Sequence, residues 1–166
     1  MAVQSLIDSL SQLEDAHLTM LEWAEKKRDA IMKNNVEELI GILNQESRIV
    51  KQIEKLEDAR MTACYAFLQE RGVKSQLNLT ITELSRLVFD PEEKKALLDM
   101  QKKLSNTLYR LKELNDLNQK LIEQSLTFLD YSLDLLVGEP EQAVTYQHPA
   151  DKSGGRGRPG LFDTRA

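Results

Sequence analysis

The feature that most limits the fold is a single run from Pro91 to about Val137 that offers a helix no place to stop. Its start is written in "FDPEEKK". Asp90 can cap, Pro91 suits the first helical position where no N–H is needed, and Glu92 and Glu93 sit at the positive end of the helix dipole. Gly138 and Pro140 end it. At 1.5 Å per residue the run makes a helix about 70 Å long. A helix of that length is too long for a compact globule and is typical of an elongated hairpin or coiled coil.

The rest of the chain supplies partners of similar kind. Leu6, Leu10, Leu13, Met20, Ala24 and Ile31 recur at three- and four-residue spacing, predicting a first helix from about Val3 to Lys33, with His17 in the same stripe. The doublet Asn34-Asn35 interrupts it, and Asn35 with Glu38 has capping-box spacing, so a second helix starts near Val36. Its seam is expected at Leu39, Leu43, Val50, Ile53, Leu56, Ala63 and Phe67, with Glu46 or Ser47 as a polar interruption and Gly72 as the stop. "VKSQLNLTI" has no helical period and reads as a loop. Thr80 and Glu83 then box the start of a short helix ending near Phe89.

Aromatic residues are only 5% of the chain, while Leu, Glu, Lys and Gln dominate, the profile of aliphatic helical seams with charged flanks. The expected fold is all-α: an elongated antiparallel hairpin or bundle of three long helices plus one short one. It is expected to form one helical domain over 1–138, followed by a disordered, flexible tail over 139–166. From Gly138 onward lie five of the seven glycines and three of the four prolines, too few core-building residues for a packed structure.

The formal net charge of −5 argues against nucleic acid as a partner, because no local basic face offsets the repulsion of a phosphate backbone. No stretch of about 18 apolar residues could span a bilayer, and "MAVQSLIDSLSQLEDAHL" lacks the basic and apolar parts of a signal peptide. With a single cysteine no internal disulfide is possible, and a cytoplasmic location is expected. Cys64, in the apolar stretch "RMTACYAFL", reads as a packed residue with no base beside it in sequence. Glu14 and His17 form the only Glu-x-x-His; di-iron bundles use two such pairs with two further glutamates, so no metal site is expected. His148 lies in the tail. Phosphotransfer at His17 is a distant alternative. "SGGRGRPG" follows no strand and lacks the lysine of a phosphate loop. No catalytic residue and no cofactor is expected.

The long helix is unusual in its apolar width. One stripe holds Leu104, Leu108, Leu111, Asn115, Asn118, Ile122, Ser125, Leu129, Ser132 and Leu136; a second, rotated by roughly 60°, holds Leu114, Leu117, Leu121, Gln124, Phe128, Tyr131 and Leu135. From Leu121 onward Leu126, Leu133 and Val137 widen the arc, leaving mainly Thr127, Asp130 and Asp134 for water. The arc reaches roughly two thirds of the circumference, whereas one packed partner needs little more than a third. Either the other helices wrap this region as ordinary core, or it receives a visiting amphipathic helix. The amides fit both readings: a buried Asn sets register, and an exposed one bonds a bound segment.

"LKELNDLNQKLIEQSL", with Leu114-Asn115 and Asn118 followed by Leu121, resembles the C-terminal helix signature of FlgN-type flagellar export chaperones. "EQAVTYQHPADKSG" is similar to the short tyrosine-containing motif that follows the last helix in that family, although Gln147, His148 and Pro149 stand where a Gly or Asp often follows. The resemblance implies a cytoplasmic, non-enzymatic chaperone for the hook-associated proteins of the hook-filament junction, serving type III flagellar export. It further implies client contacts at Asn115, Asn118, Leu121, Ile122, Ser125, Leu126 and Leu129, and contact with the cytosolic domain of the export gate through Tyr146. Binding would be stoichiometric and need no nucleotide. Leu161 and Phe162 offer a second linear motif near the end of the tail. A generic coiled-coil adaptor and a chaperone of a virulence type III system remain alternatives.

Overall fold

The computed structural model describes residues 2–74 and 78–138, and every described element is a helix. In chain order these are α1 (Ala2–Met32), α2 (Val36–Glu70), α3 (Ile81–Ser85) and α4 (Pro91–Val137). They divide into two compact units, Met1–Leu121 and Ile122 onward. The tail expected over 139–166, with Tyr146, His148, Leu161 and Phe162, lies outside the described residues.

The helix ends are set by local hydrogen bonding. Asn34 takes a left-handed φ of 54°, which asparagine tolerates better than most side chains. The Asn35 N–H donates to the Ala30 carbonyl and the Asn34 N–H to that of Ile31, so two carbonyls left over by α1 are satisfied in a Schellman arrangement. The Asn35 side chain then accepts from the Glu38 N–H at 3.1 Å and opens α2. Two adjacent asparagines thus end one helix and start the next. Gly72, at φ 83°, closes α2 in the same way, with Val73 N–H reaching the Leu68 carbonyl at 2.8 Å.

At α3 the capping box is reciprocal: the Glu83 N–H donates to the Thr80 hydroxyl oxygen, and the Thr80 N–H donates to the Glu83 carboxylate. That N–H, followed by the Thr80 hydroxyl, holds the Glu83 carboxyl below its ordinary range. Asp90 accepts from the Glu92 N–H at 3.0 Å and starts α4 as expected.

Within Met1–Leu121, α1 and α2 form an antiparallel hairpin across the short Asn turn, tied by a Lys27–Glu46 ion pair at 2.9 Å. The α2 seam differs from the expected one. Ile42 and Ile49 are buried, whereas Leu43 and Val50 are 45% and 44% exposed. Glu46, the polar interruption, turns inward far enough to meet Lys27, which fixes this rotation of the helix.

The densest packing gathers Val3, Leu6 and Leu10 of α1, Phe67 and Leu68 of α2, Leu84 of α3 and Leu97 of α4 into one cluster. Cys64 belongs to it, and burial pushes its thiol pKa up, which favours the neutral, unreactive form. Along the first unit α4 lies parallel to α1. The Thr107 hydroxyl donates to Glu14 Oε2 at 3.1 Å and the Asn118 amide donates to the Ala24 carbonyl at 3.0 Å, at sequence separations of 93 and 94. Two bonds at nearly the same offset, about three turns apart, set the register of α4 on α1.

Candidate helix-docking surface

The seam of α4 in the first unit is narrower than its apolar stripes. Leu97 and Thr107 are buried and Met100, Leu104, Leu111 and Leu114 half-buried, at alternating three- and four-residue steps that lead to Asn118. Asn118 is 2% exposed. Its amide is committed to the Ala24 carbonyl, and its own carbonyl oxygen has no partner, as is true of Glu14 Oε1. Of the two roles open to an asparagine here, Asn118 is placed in the internal one, between α1 and α4. Asn115 is exposed and Leu121 half-buried.

The stretch from Ile122 to Val137 differs in character. Ile122, Leu126 and Leu129 are exposed, and so are Phe128, Tyr131, Leu133, Leu135 and Leu136, the last at 83%. At 100° per residue the apolar and small positions of this stretch occupy about 240° of the helix circumference. Glu123, Thr127, Asp130 and Asp134 fill the remaining strip, and no Lys or Arg occurs between Leu121 and Gly138. The water-facing edge of this helix is therefore acidic.

Relief on the apolar arc follows from side-chain size. Ser125 and Ser132 are half-buried and lie seven residues apart, between a ridge of Ile122, Leu129 and Leu136 and a ridge of Phe128 and Leu135. Two ridges with a shallow trough between them are the shape that takes a row of side chains from another helix. Of the sequence-expected contacts, Ile122, Ser125, Leu126 and Leu129 fall on this surface. Phe128, Leu133, Leu135 and Leu136 join them, and their signal in the sequence was the excess width of the arc itself.

The polar groups elsewhere are structural. His17 is half-buried, and its Nδ1–H donates to the Leu13 carbonyl at 2.7 Å. Glu14 points instead into the α1–α4 seam, so the two members of the Glu-x-x-His have different partners. Among the described residues no group of three or more His, Cys, Asp or Glu is placed to hold a metal ion, and no helix is long and apolar enough to cross a membrane.

The family model described as "FlgN protein" matches residues 1–154. A Bacillus subtilis (strain 168) relative, described as uncharacterized protein YvyG, is 30% identical over 137 residues, covering 82% of each chain. No solved structure matches.

Proposed function

The chain belongs to the FlgN family of flagellar export chaperones, and on that premise we propose that it masks the C-terminal helical segments of hook-associated proteins until their export. The observation that carries this reading is the broad, exposed apolar arc of residues 122–137. Segments that become helical only on assembly expose apolar stripes beforehand and would self-associate without a cover. Each large side chain moved from water into such a contact contributes about 1.5–3 kcal/mol. A handful of them exceeds the cost of ordering the client, which is several kcal/mol.

The client held here is an amphipathic helix with an apolar face and basic flanks, matched to Glu123, Asp130 and Asp134. One client segment binds per chaperone, in the cytoplasm and without nucleotide. The client roles of Asn115 and Leu121 rest on the family resemblance alone. So does delivery to the cytosolic domain of the export gate through Tyr146, which lies outside the described residues.

The test uses the purified chain with a purified hook-associated protein whose C-terminal segment self-associates. An equimolar amount of the chaperone is expected to abolish the rise in light scattering; undiminished scattering at several-fold excess sinks the proposal. For delivery, Tyr146→Ala should weaken binding of the loaded complex to the gate domain while client affinity stays unchanged.

A further inference from the structure

A second apolar surface, on α2 in the first unit, is exposed among the described residues and has no role in the function proposed above. Val36, Ile40, Leu43 and Val50 are exposed, at 65%, 54%, 45% and 44%. With exposed Ser47 they recur at alternating four- and three-residue steps over about four turns, the spacing of a coiled-coil seam. Leu43 and Val50 lie here because Ile42, Glu46 and Ile49 take the inward positions against α1.

We infer that this stripe is a self-association surface, which pairs antiparallel with the same stripe of a second copy of the chain about a two-fold axis beside Asn44. The argument is the order of residues along it. One flank carries Glu37, Asn44 and Lys51, seven residues apart, all exposed, and neither charged residue forms an ion pair among the described residues. Read from either end, the stripe presents valine at both ends, leucine at the centre, and opposite charges at matching distances from that centre.

Laid antiparallel, Val36 meets Val50 of the second copy, Leu43 meets Leu43, and Ile40 meets the small Ser47. Glu37 then stands beside Lys51 of the second copy at both ends, and the two Asn44 amides meet on the axis, where two identical amides can bond each other. A parallel pairing in register instead keeps Glu37 and Lys51 of the two copies about 21 Å apart along the axis, so only the antiparallel arrangement gains the charge pairs. Such an isologous contact closes on itself and gives dimers rather than filaments. Its area is at the low end for specific interfaces, so the dimer forms and dissociates with concentration.

The experiment is sedimentation equilibrium of the full chain across a wide concentration range, repeated on charge variants. Glu37→Lys is expected to weaken dimerisation at least about tenfold, because each end then holds two cations. The double variant Glu37→Lys/Lys51→Glu restores it by reversing the pair. Both positions are exposed, and circular dichroism confirms that each variant folds. A monomer at every concentration overturns the inference, as does a dimer indifferent to Glu37→Lys. Ile40→Ser/Leu43→Ser should also give a monomer. If that variant instead loses client binding while the wild type is monomeric, the stripe belongs to the client and the inference fails. The scattering test of client masking is independent, so the failure of one reading leaves the other standing.

Discussion

Asn118 concentrates the tension in this protein. It sits in the α1–α4 seam with its amide bonded to Ala24 and its carbonyl oxygen bare. A buried acceptor without a donor costs free energy that an apolar side chain of similar size would not. Asn118→Leu is therefore expected to raise stability by about 1 kcal/mol in a urea titration, with client affinity unchanged, while Asn118→Asp lowers it by burying a charge. Loss of client binding by Asn118→Leu would return this residue to the docking surface. The amide was visible in the sequence as an oddity among leucines. Its direction was not, because a polar group on an apolar stripe serves an internal seam and an external contact equally well.

Glu83 carries a second prediction at this scale. Its carboxyl is held low by bonds that only the charged form accepts fully, first from the Thr80 N–H and then from the Thr80 hydroxyl. A group whose folded pKa is depressed contributes stability above its unfolded pKa and loses it as pH falls through the folded value. Amide protection in α3 should hold from neutral pH down to the ordinary carboxylate range, fall as pH drops through that range, and level off below the depressed pKa of the folded state. Glu83→Gln should remove that pH dependence.

Among the elements, α2 shows where periodicity stops being informative. Ile42-Ile49 and Leu43-Val50 are both apolar pairs seven residues apart, one position out of phase, so either can serve as the seam by pattern alone. The Lys27–Glu46 pair settles the rotation, and it joins residues 19 apart whose meeting depends on the turn between them. Ile49→Ala should cost about 2–4 kcal/mol in urea denaturation, and Val50→Ala no more than about 0.5 kcal/mol. The helix ends were far more legible. Asn34-Asn35, Gly72, Thr80 with Glu83, and Asp90-Pro91 act through bonds within a few residues of themselves, and local chemistry is what a single sequence displays best.

For the whole molecule, the chain spends its apolar residues in two ways. Near the start of α1 and the end of α2 they close on one another around Phe67 and Leu97, a core that gives the first unit its fixed register. In residues 122–137 a comparable density of leucines stays exposed among the described residues. The excess width of the last helix was readable from the sequence, but whether it was core or surface depended on how far the other helices reach, which no local pattern encodes. The central claim is that this arc holds the client, and Leu129→Ser/Leu136→Ser tests it on one ridge without touching the core. Calorimetric titration with a hook-associated protein's C-terminal segment should show one site for the wild type, and at least a tenfold loss of affinity for the variant at unchanged helicity. Equal affinity for both proteins would contradict the account.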